Sequence, residues 1–202
     1  MKRTLLVCLF ACALALPAAL AAPVDYLLNS AASRASFAIG ENLLGRETTA
    51  VGTTAVVEGG VTLDAEDPSV LVFHDFQVDV STLTTDDRQR DGQIRNRILQ
   101  TSDAANQYVT FVPREAVGLE LPLVPGVTQS VELVGQLTIK GVTKEAVFEL
   151  ELQVLSDTEL RGVATTVVWL EDFGLSVPRV PLVARVDEFV TLALDFHLVA
   201  SP

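Results

Sequence analysis

Cysteine is almost missing from this chain: 202 residues contain two, Cys8 and Cys12, and both lie near the start. Histidine is equally scarce, limited to His74 and His197, and no His-x-x-x-His or His-Glu-x-x-His string occurs. A zinc site needs three or four His, Cys or carboxylate ligands, so this inventory excludes the usual zinc sets. Asp64, Glu66 and Asp67 gather acidic groups but lack the glycine and distal glutamate of a calcium loop, and read as a solvated turn. No Gly-x-Ser-x-Gly, P-loop or Gly-x-Gly-x-x-Gly string is present, so no nucleophile elbow or phosphate cradle is expected. Basic residues are few as well, 14 against 26 acidic, for a net charge of −12. Such a chain has no electrostatic footprint for nucleic acid or an anionic lipid surface. There is also no linker, low-complexity tract or internal repeat.

The N-terminus departs from the rest. Lys2 and Arg3 precede an apolar run from Leu5 to Leu16, then Pro17 and Ala18-Ala19-Leu20-Ala21-Ala22. A basic start, a short apolar centre and an Ala-x-Ala end make a secretory signal peptide. The run is shorter than the ~20 apolar residues needed to span a bilayer, so no stable membrane insertion is expected. Leu9-Phe10-Ala11-Cys12 resembles a lipoprotein box, but the apolar run continues past it to an ordinary cleavage site. Cleavage after Ala21 is therefore expected, with residues 1–21 as signal peptide and 22–202 as one exported domain, periplasmic or extracellular. The loss of Lys2 and Arg3 takes the charge from −12 to −14, and without cysteine neither disulfides nor thiol chemistry remain.

The exported part is dominated by alternation. Val131, Leu133, Leu137 and Ile139 share one face, while Glu132, Gln136 and Thr138 take the other. After Lys140-Gly141, Ala146, Phe148, Leu150, Leu152 and Val154 again fall on every second position. A period of two on both sides of a turn signal predicts a hairpin with one buried face. Similar patterns predict strands over 26–39, 50–64, 69–81, 107–117, 129–139, 144–155, 159–169 and 187–199, with Gly59-Gly60 marking a bulge or bend. Residues 85–99 break the alternation and predict one or two helical turns, on which Ile94 and Ile98 can cover a core or a barrel mouth. The fold class is thus all-β, and eight antiparallel strands with short connections suit a sandwich or a closed barrel.

The inner faces are expected to carry Phe37, Ile39, Phe76, Val78, Val109, Phe111, Leu137, Ile139, Phe148, Leu150, Leu192, Leu194 and Phe196. His74 shares the parity of Phe76 and Val78, so it is expected at the core or rim, or as a polar contact for a ligand head. His197 has the parity of Asp195 and faces solvent. Arg88, Arg90, Asp91, Arg95 and Arg97 read as a solvated helix surface, with Arg90 and Asp91 alternatively fixing the helix over the opening. Eight strands enclose just enough space to fill with side chains or to hold one small ligand, and the residues leave both outcomes open.

Gly-Gln-Leu-Thr-Ile-Lys-Gly-Val-Thr-Lys over 135–144 resembles the hairpin of the YceI-like family, exported bacterial lipocalin-like barrels associated with polyisoprenoid binding. Four further stretches are similar in the same order: Tyr26 to Ser36-Phe37, Phe76 to Leu83 followed by Arg90-Asp91-Gly92-Gln93-Ile94-Arg95-Asn96, Tyr108-Val109-Thr110-Phe111, and Asp172-Phe173-Gly174. The chain departs where the family often shows Asp-x-x-His-Ser, having Asn29-Ser30-Ala31-Ala32-Ser33. Gln93 replaces a common histidine, Ile98-Leu99 a Phe-rich stretch, and Leu170 an arginine. The resemblance implies an eight-stranded antiparallel lipocalin-like barrel with a short helix at one end. It would enclose an elongated apolar pocket for a polyisoprenoid or other long-chain lipid or quinone, lined by the fourteen residues above, with no enzymatic activity, cofactor or metal. It leaves the head group, the native lipid and the oligomeric state open, a homodimer included. The rival reading is a structural or interaction barrel with a filled core; a hydrolase built on Ser, Asp and His74 is the remote third.

Overall fold

Alternating apolar and polar residues become thirteen strands in a single antiparallel sheet of the computed structural model, which describes residues 23–64, 67, 70–178 and 183–201. The expected signal segment, both cysteines and Glu66 lie outside the described residues. The strands are β1 (Val24–Leu28), β2 (Arg34–Leu43), β3 (Arg46–Thr54), β4 (Val57–Glu58), β5 (Gly60–Leu63), β6 (Leu71–Phe73) and β7 (Phe76–Asp79). They continue as β8 (Tyr108–Val117), β9 (Thr128–Ile139), β10 (Val142–Ser156), β11 (Glu159–Trp169), β12 (Val183–Val186) and β13 (Phe189–Ala200).

Thirteen replaces the expected eight because local chemistry breaks strands that periodicity alone reads as continuous. The stretch over 26–39 divides at an Asx turn, where Asn29 Oδ1 accepts from Ala31 N at 3.1 Å and β1 gives way to β2. The next divides at Ala55-Val56 and again at Gly59, whose φ of +150° suits glycine. The third divides at His74-Asp75, between β6 and β7. Four-residue β12, paired to the end of β2, is too short for its alternation to be read.

Pairing runs β4-β7-β8-β9-β10-β11-β13-β1-β5-β6, and the β2–β3 hairpin joins through β13. Since β4 and β5 are consecutive around Gly59, the path returns to where it began and the sheet curls into a barrel-like wall. The β9–β10 hairpin forms as its sequence demands: Lys140 and Gly141 both have positive φ, 49° and 74°, and Ile139 pairs with Val142. Two positive φ values give the turn the twist that matches the strands. Inside, Leu137 and Val154 are each 1% exposed.

The expected helix is one and a half motifs long. Helix α1 (Arg88–Gln93) runs into a π turn over Ile94–Ile98. Asp87 caps it, accepting from Gln89 N at 2.7 Å and Arg90 N at 3.2 Å. It follows β7 and a short 3-10 turn in which Val80 N donates to Gln107 O at 3.0 Å, so it sits at the end of the barrel where β8 starts. The other end receives the loop 118–127 that follows β8.

Candidate functional site

The inward faces enclose a cavity of about 670 Å³. Voids in a well-packed core seldom exceed a water molecule, whereas ligand pockets run from roughly 300 to 1,000 Å³. Its wall is built from every second residue: Phe37 and Ile39 of β2, Phe76 and Val78 of β7, Val109 and Phe111 of β8, Leu137 and Ile139 of β9. Phe148 and Leu150 of β10 and Leu192, Leu194 and Phe196 of β13 complete the expected set. Phe111 and Phe148 meet with ring centroids 4.6 Å apart and planes tilted by 55°, an arrangement aromatic quadrupoles favour.

His74 is the exception, and its placement corrects the expectation from parity. The two-residue break at His74-Asp75 shifts the alternation, so Leu71 and Phe73 face the cavity ahead of the break and Phe76 and Val78 after it. His74 is left off the lining, with Nε2 3.0 Å from Thr62 Oγ1, and that hydroxyl also bonds Asp25. It is a wall residue on the polar side. His197 lies on the outer face, as its parity indicates, but is half-buried there rather than solvent-facing, with Nε2 out of solvent and 3.4 Å from Glu159.

Residues the alternation could not assign close the ends. Leu119 and Leu123, from the loop after β8, line one end; Ile94, Ile98 and Leu99 line the other. The pairing of Ile94 with Ile98 at helical spacing was readable, but Leu119 and Leu123 sit in an irregular loop without periodicity. Leu170, Leu175, Val177 and Pro178 add to the lining from beyond β11.

Polar lining residues are few and concentrated. Glu41, at an inward position of β2, and Asp87, Gln89, Arg90 and Gln93 lie at the α1 end; Ser36 is the other. Arg90 donates to Glu41 Oε1 at 3.0 Å and to Asp86 Oδ1 at 2.7 Å. The Glu41 carboxylate is nearly buried, so the guanidinium is its main compensation. Arg90 thus fastens α1 to the barrel wall, as sequence allowed, but through Glu41 rather than Asp91. Asp91, expected on the surface, is buried and accepts from Thr85 N and Oγ1, each at 2.7 Å. Burial pushes its carboxyl up, but the Thr85 hydrogen bonds and then Arg95 and Arg90 outweigh it and hold the group below its ordinary range. Asp79 is lowered likewise: burial opposes, while Ser81 and Gln107 prevail.

Among the described residues no three His, Cys, Asp or Glu side chains gather to hold a metal. No described helix is long and apolar enough to cross a membrane. The lining offers apolar enclosure, with most of its polar groups gathered at the α1 end.

Residues 26–198 match the model of the YceI-like domain. The fold is similar to that of a polyisoprenoid binding domain from Saccharophagus degradans implicated in plant cell wall breakdown, with TM-score 0.69, 17% identity, and 87% of this chain and 98% of that one covered. It also resembles Burkholderia cenocepacia BcnA, at TM-score 0.64 and 16% identity over 86% and 99% of the two chains. A Campylobacter jejuni YCEI protein gives 0.58 and 13%, covering 75% and 84%. A comparison with curated proteins finds no match.

Proposed function

Because the chain belongs to the YceI-like family, we propose that it is a non-enzymatic binding or carrier protein that holds a long apolar chain, a polyisoprenoid or related lipid or quinone, along its cavity. The observation that carries this reading is the cavity of about 670 Å³ walled by aliphatic and aromatic side chains. A filled structural barrel would not leave that space, since interiors otherwise pack like organic crystals. Energetics agree. Each isoprene unit brings about five carbons, and at ~0.8 kcal/mol per buried CH₂ it stabilises by roughly 3–4 kcal/mol before association costs. A few units suffice for tight binding without a charged contact.

Extraction of purified protein with organic solvent, followed by mass spectrometry, tests the reading. A stoichiometric long-chain lipid is the expected result. Protein that carries none, and takes up neither prenyl nor alkyl chains when offered them, would reject it. Export follows from Lys2, Arg3 and the Ala19-Leu20-Ala21 end of the leader. The intact mass of the exported protein should correspond to a chain starting at Ala22. A retained leader, or a diacylglyceryl adduct at Cys12, would contradict that.

A further inference from the structure

Four of the phenylalanines lining the cavity each lie over a glycine, three on the neighbouring strand and one, Gly59, at the break between β4 and β5. Phe37 is paired with Gly52 across β2 and β3, and Phe196 with Gly162 across β13 and β11. Phe111 covers Gly135 diagonally on β9, and Phe76 covers Gly59. A methyl group at Gly52 would overlap Cε1 of Phe37 and lie 2.7 Å from its Cζ. At Gly59 it would lie 2.5 Å from Cδ1 of Phe76, at Gly135 2.8 Å from Cζ of Phe111, and at Gly162 2.7 Å from Cζ of Phe196. Each ring therefore occupies the space a side chain at its glycine would need.

A ring has two places to go at an inward position: flat over the wall or out into the lumen. With any residue larger than glycine beneath it, only the second is open. We propose that these glycines set the bore of the cavity, and that Gly52, through Phe37, is a specificity-determining position that keeps the bore wide enough for methyl-branched rather than only straight chains. This deepens the lipid-binding reading and rests on it. A prenyl chain carries a methyl branch on every unit and is wider than an alkyl chain of the same length, so a ring turned inward obstructs it first.

Gly52 is the position to test. Its three nearest neighbours are all ring carbons of Phe37, whereas a methyl at Gly162 or Gly135 would also strike the carbonyl oxygen of Glu151 or Val112. Gly59 has positive φ, so a substitution there strains the backbone as well. Geranylgeraniol and hexadecanol share a hydroxyl head and an equally long main chain, and differ in methyl branches and double bonds. The fully saturated tetramethylhexadecanol, which keeps the branches alone, is run beside them and should follow geranylgeraniol. Competition against a bound fluorescent fatty alcohol gives the affinity of each. Gly52→Ala is expected to weaken geranylgeraniol by about tenfold or more, the scale of one overpacked side chain, while hexadecanol changes little. Gly52→Ala with Phe37→Ala should restore the branched chain, because the methyl then meets no ring. Equal weakening of both alcohols, or failure of the double variant to restore discrimination, overturns the proposal. If Gly52→Ala does not fold, Phe37→Ala alone decides: a wider bore must shift preference further toward the branched chain, and an unchanged ratio overturns the inference. A wild type that binds neither alcohol would instead reject the lipid-binding reading itself. In that case the proton shifts of the Phe37 ring in Gly52→Ala still report whether the ring has moved.

Discussion

Phe148 and Phe173 are both phenylalanines with little exposure, 9% and 3%, yet they sit in different surroundings. Phe148 lines the cavity and rests against Phe111 on one side, with open space on the other. Phe173 closes the 3-10 turn Glu171–Phe173 and packs into the core without lining the cavity. Truncation in a filled core costs about 3–5 kcal/mol, part of it for the void left behind. Phe173→Ala should therefore lose stability on that scale, and Phe148→Ala clearly less, because its void already exists. Denaturation midpoints and co-extracted lipid, measured on both, separate the roles: lipid content should fall or shorten in Phe148→Ala. Equal stability losses, with lipid unchanged, would place Phe148 in a filled core instead. Inward positions such as Phe148 and Leu137 were legible because a strand repeats every two residues. His74 was not, because a two-residue interruption resets that count without leaving a mark in composition. Nor were the rings over glycine, since the register that brings Phe37 to Gly52 is a property of paired strands and not of either strand's sequence.

At the level of elements, the segment from Thr85 to Leu99 depends on one buried carboxylate. Asp91 ties the start of the segment to α1 through Thr85 and lies near Arg90 and Arg95. Its folded-state pKa is depressed below the ordinary value of 3.8. A depressed carboxyl contributes stability that is complete above its unfolded value and is lost as pH falls through the folded one. The protein should hold its melting temperature from neutrality down to the ordinary carboxylate value and lose it as pH falls from there through the depressed folded one. Asp91→Asn should melt lower at neutral pH and show a shallower decline in acid, and identical acid profiles for the two proteins would contradict this. Asp79 adds a slope of the same sign and keeps some acid sensitivity in the variant. The helix itself was foreseeable from its acidic start and the Ile94–Ile98 spacing. Burial of Asp91 was not, because its partner lies six residues away in an irregular turn. Gly59-Gly60 announced a bend, and the bend is what splits β4 from β5.

For the whole molecule, the charge balance at the polar end bears on which lipid is held. Of the charged residues lining the described cavity, Glu41 and Asp87 are anionic and Arg90 is cationic, and Arg90 is already engaged by Glu41 and Asp86. A phosphate brings about −1.5 to −2 charges and would have to compete for that guanidinium in a partly desolvated place. Geranylgeraniol should therefore outcompete geranylgeranyl phosphate by about tenfold or more in the displacement assay. Glu41→Gln, which frees Arg90 from one partner, should narrow the gap. Tighter binding of the phosphate to the unsubstituted protein would contradict the charge argument.

Strand β13 pairs with β11, β2 and β1, and brings Leu198 beside Leu28. The first described strand thus has to wait for the last one before it gains that neighbour. Contacts between residues so far apart in sequence form slowly, because a long loop must close before they stabilise anything. A chain released from the ribosome only as far as Ser156 can make the β2–β3 and β9–β10 hairpins but not the barrel. The fold is in this sense timed by its own topology: a nascent chain stays open, and able to be threaded, until its final segment arrives to shut it.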